Sequence, residues 1–156
     1  MIISPDNHLY NEKGLYEWNP DRSKAAWGKA YSKLTKALLS GKFEKVVMMG
    51  GIPASGKSTY LSKFGKDPDV IYFDATFTNK WVRGTVLDIV VETSPETPVE
   101  MIFLDTPKEV CLQRNSERTP DRRVPPDAYD RMCGALAKQG FPSKSEGFDK
   151  ITIIRQ

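Results

Sequence analysis

An α/β fold, built on a parallel sheet of about four to five strands with helices on both faces, is what this sequence predicts. Three observations lead to it. Short apolar runs (KVVMM, VIYF, VEMIFL) recur along the chain with helical patterns between them. Two of these runs end on an aspartate, Asp74 and Asp105. The KVVMM run is followed at once by a glycine-rich loop, Gly50 to Tyr60, reading GGIPASGKSTY. Strands alternating with helices bury both sheet faces, which is the condition under which parallel strands read as unbroken apolar runs.

The elements follow in order. Residues 1–19 carry no periodic pattern and are expected to be irregular. Asn19-Pro20 is a helix start, because proline fits the first turn, where its missing N–H costs nothing. Trp27, Tyr31, Leu34 and Leu38 fall on one face of that helix, and Gly41 ends it. This aromatic stripe is expected to pack on the body of the domain. Lys45–Met49 is a buried strand, and a helix runs from Lys57 to Phe64. Val70–Phe73 is a second strand, ending on Asp74. Thr78–Val91 carries β-branched residues, yet its spacing favours a helix. Val99–Leu104 is a third strand, Lys108–Ser116 a helix introduced by Pro107, Asp127–Lys138 another, and Ile151–Ile154 a last short strand. Glu117–Pro126, charged and broken by prolines, is a loop. The division expected is one domain over 1–156, with 1–44 as an N-terminal extension holding one helix and 45–156 as the core.

Composition bounds function only loosely. The chain has 156 residues, 39% hydrophobic and 28% charged, with a formal net charge of +3. That balance permits a nucleic-acid partner without requiring one. No apolar run approaches the ~20 residues needed to span a bilayer. The first residues lack the basic and apolar regions of a secretory signal, so a cytoplasmic location is expected. Cys111 and Cys133 form neither a disulfide framework nor a zinc spacing, which fits reduced thiols. Nothing in the pattern specifies an oligomeric state.

Gly51-Ile52-Pro53-Ala54-Ser55-Gly56-Lys57-Ser58 fits G-x-x-x-x-G-K-[ST] between a strand and a helix, the context the motif requires. The two glycines let the backbone curl so that successive N–H groups point at phosphate oxygens, and the following helix adds its positive end. Lys57 is placed to reach the β- and γ-phosphates, and Ser58 to offer a hydroxyl to Mg²⁺. Thr59 is expected to pack at the helix start or to touch the α-phosphate. A nucleoside triphosphate such as ATP, with Mg²⁺, is the ligand this cradle predicts, and the fold becomes a three-layer P-loop NTPase fold.

The strand-end aspartates face the crevice at the carboxyl ends of the strands. A carboxylate there can hold Mg²⁺ or accept a proton from an attacking hydroxyl. Asp74, 16 positions after Ser58, is the stronger candidate for both. Asp105 precedes Thr106-Pro107, and capping the next helix is its expected role. Farther on, CLQRNSERTPDRRVPPDAYDRM holds Arg114 and Arg118 on one helix face, then Arg122 and Arg123 in a proline-broken loop. Phosphoryl transfer needs guanidinium groups brought to the phosphate from outside the cradle, which an arginine lid supplies. Lys108 and Arg83 are weaker candidates of the same kind.

Taken together, GIPASGKST, the strand ending in FDAT, LDTPKEVCLQRNSERTPDRRVPPDAYDRM and EGFD resemble the P-loop kinase family that contains phage polynucleotide kinase, over about two-thirds of the chain, Lys45–Asp149. The resemblance implies phosphoryl transfer from ATP to a nucleic-acid 5′-hydroxyl. It also implies that Arg118 and Arg123 are the lid arginines clamping the donor phosphates, with Arg114 nearby. Two departures stand out. Members of that family carry an arginine three positions after the catalytic aspartate, where this chain has Phe77. They also have two aspartate-bearing strands before the lid, where this chain has one, so Asp74 is left as base, metal organiser or both. No D-x-D phosphatase motif accompanies the kinase elements. Phosphorylation of a small molecule (a nucleoside, nucleotide sugar or antibiotic), as in zeta-toxin-like and chloramphenicol-phosphotransferase-like relatives of this loop, and an ATP-binding or ATP-hydrolysing module with no acceptor are the alternatives.

Overall fold

A computed structural model describes all residues, Met1 to Gln156. Five parallel strands form one sheet in the order β1-β3-β2-β4-β5. They are β1 (Ile2–Ile3), β2 (Lys45–Gly50), β3 (Val70–Asp74), β4 (Val99–Asp105) and β5 (Lys150–Arg155). The helices are α1 (Pro20–Leu39), α2 (Lys57–Phe64), α3 (Lys80–Thr93), α4 (Lys108–Ser116) and α5 (Pro126–Gln139). The chain has the three-layer α/β arrangement of a P-loop NTPase. No helix is long and apolar enough to cross a membrane.

The period-2 alternation of a strand sorts the apolar residues onto two faces. Val46, Met48, Ile71, Phe73, Met101 and Phe103 share the larger core with Ala30 and Leu34 of α1 and Val86 and Val90 of α3. Val47, Met49, Val70, Tyr72 and Leu104 point the other way, onto Leu61 of α2. The expected α1 stripe does pack: Leu34 and Leu38 are buried, and Trp27 stacks on Phe73 with ring centroids 6.1 Å apart. The Asn19 side chain caps α1 by accepting from Arg22 N–H at 2.8 Å.

Three expectations change. Residues 1–19 are not irregular throughout. Ile2 and Ile3 pair in parallel with Tyr72 and Phe73 as an edge strand, and Pro5–His8 forms a 3₁₀ turn. A two-residue strand is too short to show alternation, and its partner edge decides it. The segment expected as an extension therefore supplies both a strand and a core helix. Asp105 does not cap α4. Pro107 occupies the cap position without a side-chain cap, and Asp105 meets Arg155 Nε at 3.4 Å instead. Arg83 faces no phosphate cradle. It is fully buried, ion-paired to Glu146 at 2.8 Å, and donates to Phe77 O at 2.8 Å. It thereby fixes the loop after β3, in which Phe77 holds φ of +50°.

Breaking a buried pair from one side leaves the remaining charge without compensation. Glu146→Gln is therefore expected to cost about 3 kcal/mol, measured by denaturant unfolding. A loss below about 0.5 kcal/mol, the scale of an exposed pair, would contradict this account.

Candidate functional site

The carboxyl ends of β2 and β3 open into a cleft of about 720 Å³. Its floor is the glycine-rich loop. Gly51 takes φ of +150°, and a Cβ there would press on Ser55 and lie 3.0 Å from Leu104 O. Gly56 caps α2 at φ of +106°. Both positions need glycine for backbone shape. The loop is pinned from below: buried Ile52 joins Cys111 and Tyr129 in a small core, and Tyr129 OH donates to Pro53 O at 2.9 Å. Thr106 Oγ1 donates to the carbonyl of buried Ser55 at 2.8 Å. Ala54, at φ of +64°, turns the chain above them. The first N–H groups of α2 have no acceptor within the helix, and Lys57, Ser58 and Thr59 line the cleft beside them. Thr59 is exposed, not packed.

Lys57 Nζ donates to Gly51 O at 3.0 Å, which holds the ammonium over the loop. Desolvation by burial lowers its pKa, and the Asp74 carboxylate partly offsets this. Asp74 closes β3, next to Met49 of β2 in register. Burial pushes its pKa up to about 6, against the pull of Lys57 and with help from the charge of Asp6. Asp74 Oδ1 is buried with no hydrogen-bond partner. An orphaned carboxylate oxygen in the same cleft as the Ser58 hydroxyl fits a hard divalent cation. No group of three or more acidic, histidine or cysteine ligands stands by. Mg²⁺ keeps waters and substrate phosphates as most of its ligands, so one or two protein oxygens are enough to hold it.

The lid brings three arginines over the floor. Arg114 Nη1 donates to Ala54 O at 3.2 Å, and Arg118 and Arg122 line the cleft. Arg123 does not join them: it is exposed, and its Nε donates to Arg118 O at 2.9 Å, bracing the lid backbone. Arg122 turns toward the N-terminal segment, donating to Tyr10 OH at 2.6 Å and stacking 4.8 Å over the Tyr16 ring. Tyr16 N–H also donates to Asp121 at 3.0 Å. Lys108 is paired with Asp130, outside the cleft.

Buried Asn115, in the middle of the RN-x-x-R pattern, anchors the lid. Its side chain donates to Val124 O at 2.8 Å and accepts from Val124 N–H at 2.9 Å. Asn115→Ala is expected to cost about 1–3 kcal/mol by leaving both groups unpaired, and to weaken ATP binding several-fold. Calorimetric titration alongside a melting curve checks both. Intact affinity with full stability would dissociate Asn115 from the lid.

No family model matches the sequence. A probable thymidylate kinase of Methanosarcina mazei is 33% identical over 58 residues, 37% of this chain and 28% of that protein. The native crystal structure of the AvrRxo1-ORF1:-ORF2 complex superposes with a TM-score of 0.51 over 77% of this chain and 57% of that one, at 14% identity. The chain thus spans less than two-thirds of either protein. The partial sequence match supports a P-loop kinase-like relationship, and the structural match shows the fold alone.

Sequence reasoning missed the N-terminal wall of the cleft, where Asp6, Leu9, Tyr16 and Trp27 face the cradle. Ser4-Pro5-Asp6 carries only the signature of a turn, and nothing local announces that it reaches the cleft.

Proposed function

We propose that the protein is an ATP-dependent kinase that transfers the γ-phosphoryl group to a hydroxyl acceptor, with residues 1–156 forming one kinase domain. One observation carries this reading: cradle and arginine lid belong to the same chain and converge on one cleft that also holds a strand-end carboxylate. A lid in cis stabilises charge on the transferring phosphoryl group and excludes water, both of which favour transfer over hydrolysis.

The roles follow from position. Gly51 to Thr59 cradle the phosphates, Lys57 neutralises charge on the β- and γ-phosphates, and Arg114 and Arg118 approach from the lid. Ser58 and Asp74 would hold Mg²⁺, which when bound shields the phosphates and neutralises developing charge. The acceptor favoured is the 5′-hydroxyl end of a nucleic acid, on the strength of the RN-x-x-R and RVP segments. A second reading, a small-molecule acceptor such as a nucleoside or nucleotide, is supported by Phe77. It is buried in the core where a strand-holding arginine would be needed. The partial match to a probable thymidylate kinase points the same way.

Labelled ATP and Mg²⁺ incubated with 5′-hydroxyl oligonucleotides, nucleosides and nucleotides separate these readings. Label on oligonucleotides supports the first, and label on nucleosides or nucleotides alone supports the second. Label released only as free phosphate would refute the kinase reading.

A further inference from the structure

We infer that Asp6, delivered by the N-terminal edge strand, is the carboxylate that binds the acceptor hydroxyl and takes its proton, and that the acceptor is the hydroxyl of a nucleoside unit seated between the 3₁₀ turn and the end of β3. This deepens the kinase reading and rests on it.

The placement comes from register. Ile3 pairs with Phe73, so the chain leaves β1 at the level where β3 reaches Asp74. It then turns through Pro5–His8 over the same crevice. Two parallel strands thus deliver two aspartates to one cleft, one inside it and one at its rim. Asp74 is the inner one, close enough to Lys57 to offset its desolvation. Asp6 is the outer one, lining the cleft, and its charge is felt by both Lys57 and Asp74. Asp105, the other strand-end aspartate, is engaged with Arg155 and does not line the cleft.

The chemistry divides the work between them. A carboxylate whose lone pairs hold a cation is a poor acceptor for a proton, so metal binding and proton abstraction call for separate groups. Asp6 is held for the second task. Tyr16 OH donates to its Oδ1 at 3.1 Å, the turn is closed by Leu9 N–H donating to Asp6 O at 3.1 Å, and Oδ2 carries no protein hydrogen bond. In the step, the acceptor O–H proton passes to Asp6 Oδ2 and the acceptor oxygen bonds to the γ-phosphorus. The bond from that phosphorus to the β–γ bridging oxygen breaks, and its electron pair leaves on the nucleoside diphosphate. Beside Asp6 the cleft is lined by Tyr16, Trp27 and the apolar side chain of Leu9; Arg122 covers one side of the Tyr16 ring and Phe73 one side of Trp27, so a ligand meets what these neighbours leave uncovered. Aromatic faces of this kind hold a base or sugar ring by stacking. A free nucleoside and the first nucleoside of a strand share that chemistry.

The test uses Asp6→Asn and Asp6→Glu in the full chain, with thymidine in one arm and a 5′-hydroxyl oligothymidylate in the other. For Asp6→Asn, kcat is expected to fall about 10²–10⁴-fold in whichever arm the wild type uses, with recovery of part of it by Asp6→Glu. Direct titration with Mg²⁺-ATP should give an affinity within about threefold of wild type, because Asp6 touches the acceptor and not the donor. Asp6 is exposed, so the melting temperature should hold. Turnover of Asp6→Asn within about threefold of wild type would overturn the assignment, as would a loss of ATP affinity that matches the loss of kcat. A wild type that hydrolyses ATP but phosphorylates neither probe removes the nucleoside-acceptor kinase reading itself, and the assignment with it.

Discussion

Lys57→Ala is expected to lower phosphoryl transfer by about 10³-fold while leaving the fold intact. The ammonium is drawn over the glycine-rich loop by its bond to Gly51 O, in surroundings where burial disfavours its charge. A charge kept in place at a desolvation cost contributes little to folding of the free protein. It contributes a great deal once a polyanion arrives, because the same low dielectric that penalises it strengthens its attraction for phosphate. Removing it should therefore weaken ATP binding and slow transfer together, with the free protein melting no earlier than wild type. Lys57→Arg should not restore the rate, since a planar fork cannot replace a compact point charge inside a closed loop. Steady-state kinetics with a melting curve for each variant checks this. Turnover equal to wild type would mean that the loop binds no phosphate in the reaction.

The readability of this chain from its sequence varies with the range of the cause. Lys108–Ser116 and Lys57–Phe64 are helices with the bounds expected, because a proline or a glycine loop fixes their starts locally. The Thr78–Val91 stretch resolves as a helix over Lys80–Thr93, since Val86 and Val90 at helical spacing bury against the sheet and override β-branching. The cradle is legible for the same reason: its spacing is its mechanism. What was not legible depends on contacts across the chain. β1 exists because β3 offers it an edge far along the chain, Ile2 pairing with Tyr72 and Ile3 with Phe73. Arg122 and Arg123 are neighbours with the same side chain, and only the 3₁₀ turn at Pro120–Arg122 sends one to the cleft and the other back to its own backbone.

Phe77 shows how a motif departure becomes physical. Three positions after Asp74, where the resemblance to the polynucleotide kinase family implies an arginine, the chain turns through φ of +50° and sends a phenyl ring into the core. That ring packs 5.7 Å from Phe73 and 6.4 Å from Trp27. The position is thus spent on seating α1 against β3, and α1 carries Trp27 into the cleft wall. Cations at the mouth come instead from the lid, whose tip is tied to the N-terminal segment through Tyr10 and Tyr16. The two ends of the cleft wall are joined by contacts more than 100 residues apart in sequence.

Asp74→Asn is expected to move activity and stability in opposite directions. Turnover should fall by about 10²–10³-fold, because the variant loses the charge that would hold the cation beside the phosphates. The metal-free protein should meanwhile become more stable, and the pH dependence gives the sign. In the fold the carboxyl titrates at about 6, against an ordinary 3.8. Between those values the folded protein keeps a proton that the unfolded chain has released, so stability falls as pH rises through about 4 to 6 and then levels off. A displacement of that size corresponds to about 3 kcal/mol at neutral pH, with the buried, unpartnered Oδ1 as its structural source. Asparagine carries no charge to desolvate, so the variant should gain about 2–3 kcal/mol over wild type at pH 8 and nothing at pH 4. Urea unfolding in EDTA at the two pH values measures this, and adding Mg²⁺ with ATP should narrow the gap, because the variant keeps the phosphate cradle but loses the carboxylate that would hold the cation, so the wild type gains more. If the variant is instead less stable at pH 8, Asp74 supports the fold and its place at the end of β3 is structural.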